Sequence, residues 1–171
     1  MLEACELMEA VQAFFQGGIL QGQTVLVTAG PTFEAIDAVR GITNSSSGKM
    51  GYAIAQAAVE AGAQVILVSG PTCLTPPAVD KFIRVVSAVD MLNAVQAEIA
   101  HTDIFISVAA VADYRVANIS QQKLKKSDQN LSLELIPNQD ILMTVSNLPT
   151  PSFCVGFAAE TEHLEKNAEA K

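Results

Sequence analysis

The chain has no tryptophan, two tyrosines, two histidines and three cysteines among its 171 residues. Cys5, Cys73 and Cys154 are scattered and odd in number, with no C-x-x-C pair. Neither a disulfide framework nor a structural zinc site is expected from them. His101 and His163 have no second histidine at helical ligand spacing, so no dedicated histidine/cysteine metal site is expected either. Charge is also scarce: 16% of residues are charged, with 10 basic against 18 acidic and a formal net charge of −8. That balance argues against a general nucleic-acid surface, and no nucleic-acid partner is expected. Long apolar runs are missing too. Ile104 to Ala112 is too short to span a bilayer, and no basic segment precedes an apolar core and cleavage site. These absences point to a cytoplasmic protein with no membrane partner.

Half of the residues are apolar, and the length suits one domain with a sizeable core. Residues 2–16 read as an amphipathic helix carrying Leu2, Leu7, Met8, Val11, Phe14 and Phe15 on its apolar side, and Gly17-Gly18 ends it. Residues 1–23 are therefore assigned as a helix and linker, and residues 24–171 as the main domain. Within the latter, apolar strands are expected at Thr24–Ala29, Gln64–Ser69, Ile83–Val86 and Ile104–Ala109. Helices are expected from Met50 to Ala61 and, capped by Ser87, through about Ala100. Asn118 to Asn130 reads as a polar, lysine-bearing flap. A strand at Leu131–Ile136, a short helix at Asp140–Leu148, a strand at Phe153–Phe157 and a helix from Glu160 to Lys171 complete the pattern. This alternation predicts an α/β fold: a mostly parallel sheet covered on both faces, resembling a Rossmann-like doubly wound fold. Ligands in such folds sit beyond the C-terminal ends of the strands. Gly30–Gly51, Gly70–Pro77 and Ala109–Arg115 fall there.

The segment Asn44-Ser45-Ser46-Ser47-Gly48-Lys49-Met50-Gly51 leads into the first crossover helix. Backbone N–H groups at a helix start lack intrahelical partners, and the helix dipole favours negative charge. It reads either as a phosphate or carboxylate site or as a serine-capped turn that needs its glycines. The dinucleotide fingerprint G-x-G-x-x-G is missing after the first strand, where the sequence is T-A-G-P-T-F-E. Gly48-Lys49 also fails the P-loop pattern, because no serine or threonine follows the lysine. No G-x-S-x-G surrounds the serines, and Cys154 lies in an apolar strand. Glu34, Asp37 and Arg40 either fix the loop after the first strand or contact ligand. Lys123, Lys125 and Lys126 either attract a polyanion or sit in a solvated loop.

Together these pieces resemble the phosphopantothenate–cysteine ligase family. The resemblance is to the bacterial, CTP-using form found as the C-terminal domain of a bifunctional coenzyme A biosynthesis flavoprotein. It covers residues 24–171 and rests on Ala29-Gly30-Pro31-Thr32, Asp37-Ala38-Val39-Arg40, Asn44 through Gly51, Ala109 through Arg115, Lys123-Leu124-Lys125-Lys126 and Val155 through Thr161. It implies that the carboxylate of 4′-phosphopantothenate attacks the α-phosphate of CTP, releasing pyrophosphate. The amine of cysteine then displaces CMP from the acyl-cytidylate. Asn44 matches the family residue that holds the acyl intermediate, Arg40 a functional arginine, and Lys123 the lysine of the activation step. By the same resemblance Ser46, Ser47, Gly48 and Ala110 contact the acid substrate. Ser107, Val108, Ala109, Asp113, Lys123, Asp140, Ile141, Phe157 and Lys171 contact the nucleotide. Asn138-Gln139-Asp140-Ile141 departs from the family's N-P-D-I segment at Gln139. Mg²⁺ is implied with the triphosphate, though its ligands are not identified, and no FMN is expected in this domain. A homodimer is implied, as are an upstream flavin-dependent decarboxylase domain ending in helix 2–16 and a family domain that continues past Lys171. The alternatives are a truncated nucleotide-binding or dimerisation module, and a nicotinamide oxidoreductase.

Overall fold

A computed structural model describes Met8 and residues 18–126 and 130–157. The expected helix at 2–16 (apart from Met8), the helix from Glu160, and Lys171 lie outside the described residues. In chain order the elements are β1 (Thr24–Ala29), β2 (Phe33–Ala35), β3 (Gly41–Thr43), α1 (Lys49–Glu60), β4 (Gln64–Ser69) and β5 (Lys81–Arg84). Then follow α2 (Ala88–Glu98) with a 3-10 turn at Ile99–His101, β6 (Ile104–Ser107), β7 (Tyr114–Val116), β8 (Leu135–Pro137), α3 (Ile141–Ser146) and β9 (Phe153–Gly156).

The apolar strands pair in parallel into a five-stranded sheet of order β5-β4-β1-β6-β9. Successive strand residues point to opposite faces, so a strand buried on both sides needs apolar residues throughout. In β1, Val25, Val27 and Ala29 pack with Tyr52, Ala55 and Ala58 of α1. Leu26 joins Phe105 and, from α2 and α3, Met91, Leu92, Val95, Ile141 and Val145 on the other face. The expected α/β fold, doubly wound around a parallel sheet, is thus observed. Among the described residues, no helix is long and apolar enough to cross a membrane.

Helix α1 approaches the sheet through a glycine. A Cβ at Gly51 would lie 2.5 Å from the Ala29 Cβ, well inside van der Waals contact. Alanine would raise helix propensity by about 1 kcal/mol, but overpacking a buried contact costs about 1–3 kcal/mol. Gly51→Ala is expected to lower stability by up to about 2 kcal/mol in urea unfolding. An unchanged midpoint would show that α1 can slide away from β1.

Helix α2 begins at a capping box, as its sequence implies: Ser87 Oγ accepts from Asp90 N (3.1 Å) and Asp90 Oδ2 from Ser87 N (2.9 Å). The buried Glu34 carboxylate adds a bond, its Oε1 accepting from Ala88 N at 2.8 Å. Of the two roles open for Glu34, the structure shows fixation of loop and helix.

Several element boundaries differ from expectation. The strand expected at Ile83–Val86 is Lys81–Arg84, because these residues are in register with Ile66–Ser69 of β4. Val86 has left the ladder, and its carbonyl accepts instead from Phe33 N. The strand expected at Leu131–Ile136 narrows to Leu135–Pro137, since its partner β7 offers only Tyr114–Val116. Strands β2, β3 and β7, and the antiparallel pairing of β2 with β3 and of β7 with β8, were not expected.

Candidate functional site

The chain runs outward from β1 to β4 and β5, then crosses back to β6 on the other side of β1. The strand order therefore reverses between β1 and β6, where doubly wound sheets bind ligands. Thr28 pairs with Ser107, and Pro31 bridges Ala110 just beyond the strand ends. Gly30, which carries a positive φ of 72°, turns the chain there and lets Ala110 N reach its carbonyl at 2.9 Å.

Side chains hold the backbone of residues 108–112 almost group by group. Thr28 Oγ1 accepts from Val108 N (3.2 Å) and Ala109 N (3.3 Å), and the fully buried Thr32 Oγ1 from Ala112 N (2.9 Å). Asn44 Nδ2 donates to Ala110 O (3.3 Å) and Val111 O (3.0 Å). Asn138 Nδ2 donates to Ala112 O (2.7 Å), while its Oδ1 accepts from Arg115 Nη1 (2.8 Å). The result is a rigid ledge along the crevice, with Asn44 linking it to the serine–glycine loop.

Two hollows flank the ledge. The larger, 530 Å³, is lined by Ser107, Ala109, Asp113, Asp140, Ile141 and Phe157 together with Val111, Ala112, Tyr114, Pro137, Asn138, Gln139 and Leu142. Six of the nucleotide candidates thus meet in one cleft although they are spread over 51 positions. Phe157 is half exposed, a wall of the cleft rather than a core side chain. Asp140 caps α3, its Oδ1 accepting from Met143 N at 2.8 Å, so the departure at Gln139 leaves that helix start intact. Asp113 caps no helix; its carbonyl accepts from Asn138 N at 2.7 Å.

The smaller hollow, 270 Å³, is lined by Gly30, Ser45, Ser46, Ser47, Gly48, Lys49, Met50, Gly51 and Val108. The alternation of side chains past β6 sends Val108 here, while Ser107 and Ala109 face the larger cleft. Gly48 precedes α1 with φ 77° and no side-chain cap, and Met50 and Gly51, whose N–H groups lack an intrahelical acceptor in this 12-residue helix, line the hollow. Ser46 and Ser47 hydroxyls shape the turn by accepting from Gly48 N (3.3 Å) and Lys49 N (3.4 Å).

Arg40 and Lys123 sit apart from both hollows. Arg40 grips the buried Asp37 through Nε (3.0 Å) and Nη2 (2.5 Å) and also donates to Leu124 O (2.6 Å). Asp37 Oδ2 in turn accepts from Leu124 N at 3.0 Å. The basic loop is thereby clasped at Leu124 to the β2–β3 ribbon, with Lys123, Lys125 and Lys126 exposed around the clasp. Asp37 fixes this loop. The Arg40 guanidinium holds its carboxyl well below the usual carboxylate range; burial opposes this, and the N–H groups of Leu124, Val39 and Arg40 add to it. A lowered carboxyl contributes stability above its unfolded value and loses it as pH falls below that value. The advantage of the wild type over Asp37→Asn in urea midpoint is therefore expected to be full at neutral pH and to shrink only below its ordinary 3.8. An advantage already gone at about pH 5.5 would contradict the clasp.

The roles of Thr28, Thr32 and the Leu124 backbone escaped sequence reasoning, since a threonine in or just beyond a strand and a leucine beside lysines carry no distinguishing signal. Among the described residues no group of three or more His, Cys, Asp or Glu could hold a metal ion.

Fold and crevice define a doubly wound α/β domain with its candidate ligand site at the switch point between β1 and β6. The chain belongs to the family described as the DNA/pantothenate metabolism flavoprotein C-terminal domain, whose model matches residues 20–171. It is 52% identical over 174 residues to the coenzyme A biosynthesis bifunctional protein CoaBC of Vibrio vulnificus, covering 100% of this chain and 43% of that protein. The chain thus spans less than half the length of that relative. The solved C-terminal domain of a protein of the same name superposes with a TM-score of 0.78 at 48% identity, over 89% of this chain and 72% of that one. A DNA/pantothenate metabolism flavoprotein from Streptococcus pneumoniae superposes with a TM-score of 0.75 at 26% identity, over 87% and 76% of the two chains.

Proposed function

We propose that this domain joins 4′-phosphopantothenate to cysteine in coenzyme A biosynthesis, using CTP. The observation that carries this is the meeting of Ser107, Ala109, Asp113, Asp140, Ile141 and Phe157 in one cleft beside the anion-directed start of α1, in a chain of this family. In the first half-reaction a substrate carboxylate oxygen bonds to the α-phosphorus of CTP and pyrophosphate leaves. In the second, the cysteine amine bonds to the acyl carbon, CMP leaves with the bonding electrons, and the amine loses a proton. A carboxylate is a poor acyl donor until its oxygen belongs to a leaving group.

The larger cleft takes the nucleotide, with Phe157 as an apolar wall and the Ser107–Ala109 backbone along one side. The smaller hollow takes the phosphate of the acid substrate, where the free N–H groups of α1 meet Ser46, Ser47 and Gly48. Asn44 and Ala110 lie on the ledge between the two and hold the acyl group. Lys123, carried on the clasped loop, stabilises the negative charge that grows as pyrophosphate departs. Asp113 and Asp140 line the cleft and would supply the few carboxylate ligands that a magnesium ion carried by the triphosphate needs beside water.

The domain works in the cytoplasm as a homodimer, joined in the whole protein to a flavin-dependent decarboxylase domain. Exposed Val39 (63%), Tyr114 (53%) and Leu135 (46%) on the ribbon segments offer the apolar surface for a second copy. The deciding assay supplies CTP, 4′-phosphopantothenate, cysteine and Mg²⁺ to this chain and to its full-length counterpart, following CMP, pyrophosphate and product. Absence of pyrophosphate from both would end the ligase assignment. Activity in the longer protein alone would make this chain a nucleotide-binding module.

A further inference from the structure

A separate pocket of 340 Å³ opens beyond the C-terminal ends of β4 and β5, with Tyr52, Ser69, Thr72, Leu74, Phe82 and Arg84 in its lining. Arg84 is exposed and has no ion-pair or hydrogen-bond partner among the described residues. Its Cζ lies 5.4 Å from the centre of the Phe82 ring, and Phe82 meets Tyr52 edge-on at 6.5 Å and 73°. A guanidinium resting against a ring is oriented by it and keeps the N–H fork free for a planar acceptor.

Behind this cation runs a relay of hydroxyls. Thr72 Oγ1 donates to Tyr52 Oη (3.0 Å), Tyr52 Oη to Ser69 Oγ (3.1 Å), and Ser69 Oγ to Gly70 O (2.9 Å). Only the first donor stands at the open end. Thr72 also packs against Gly30 and Gly48, two glycines that line the hollow at the start of α1. Its methyl lies 2.8 Å from where a Cβ would stand on Gly30, and equally close to that position on Gly48.

We propose that this pocket binds a small organic carboxylate with a short apolar body, and that its occupancy is felt at Gly48 through Thr72. The carboxylate pairs with the Arg84 fork, the apolar body lies against Leu74 and Phe82, and the Thr72 hydroxyl turns from Tyr52 to donate to the bound oxygen. That rotation shifts the methyl covering the two glycines. A single flat cation between apolar walls suits a monoanion with a hydrocarbon tail better than a phosphate, which needs more donors and no tail.

The test is NMR titration of the chain with isovalerate, with 3-methylbutan-1-ol as the uncharged counterpart and inorganic phosphate as the counterpart without a tail. Saturable isovalerate binding is expected, about tenfold weaker in Arg84→Gln and about tenfold weaker for the alcohol. The Gly48 amide resonance should move with isovalerate in the wild type and stay still in Thr72→Val. Arg84 is exposed, so Arg84→Gln should keep the wild-type amide spectrum elsewhere. Undiminished binding to Arg84→Gln, equal affinity for phosphate, or a Gly48 shift that survives Thr72→Val would overturn the proposal. No turnover is measured, so the result stands whatever reaction the switch-point crevice performs.

Discussion

Asn44→Asp is expected to leave pyrophosphate release measurable while lowering product formation with cysteine on the order of 10²- to 10³-fold. The side chains have the same shape, so the change is one of hydrogen-bonding character. Asn44 Nδ2 donates to the carbonyls of both Ala110 and Val111. An aspartate has no donor and sets a negative oxygen against those two carbonyl oxygens. Two lost hydrogen bonds cost about 0.5–1.5 kcal/mol each, and the repulsion adds to them, so the serine–glycine loop separates from the ledge. On the proposed assignment, activation depends on the larger cleft on the far side of the ledge and suffers less, whereas transfer needs the acyl carbon held where both hollows meet. Asn44 is exposed and outside both core clusters, so solvent offsets part of that loss and the melting temperature should fall by about 2–6 °C. Asn44→Ala removes the donor without adding charge and should lie between Asp and wild type. Product formation within about threefold of wild type in Asn44→Asp would remove Asn44 from the reaction.

The central sheet was legible because its strands are buried on both faces and so read as unbroken apolar runs, as in Thr24–Ala29 and Gln64–Ser69. The capping box at Ser87 and Asp90 was equally local and equally legible. Ribbons β2–β3 and β7–β8 were not, since strands of three residues are too short to display a period of two and draw their order from pairing. The site divides the same way. Gly48 and its serines announce themselves by their position before a helix. The cleft gathers Ser107, Asp140 and Phe157 only because β6, α3 and β9 are neighbours, and spacing along the chain does not encode that. Arg40 shows the limit most plainly: its guanidinium partners are Asp37, three residues away, and Leu124, eighty-four residues away. An arginine within the Asp37–Arg40 motif suggests ligand contact. Here its hydrogen bonds close a clasp, a role that depends on a loop the local pattern cannot place.

That clasp makes Lys123→Gln the most informative change for the first half-reaction. Glutamine keeps a polar end on a side chain one atom shorter and removes the charge, and binding of the acid substrate should change little. Pyrophosphate release should fall on the order of 10²-fold, the usual cost of losing one donor to developing negative charge. Lys123 adjoins Leu124, whose N–H and carbonyl are both fastened, by Asp37 Oδ2 and Arg40 Nη2. A clasp that serves to carry Lys123 makes the two effects interdependent. Arg40→Lys alone should slow pyrophosphate release about tenfold, because lysine cannot reproduce the fork that grips Asp37 and Leu124 together. Added to Lys123→Gln, it should cost almost nothing further, since the loop no longer carries the charge it was positioned to deliver. Full additivity would mean that Arg40 acts on the substrate by itself. Unimpaired pyrophosphate release in Lys123→Gln would transfer the activation role to another cation, and Lys125 and Lys126, on the other side of the same fastened residue, would be the next to replace.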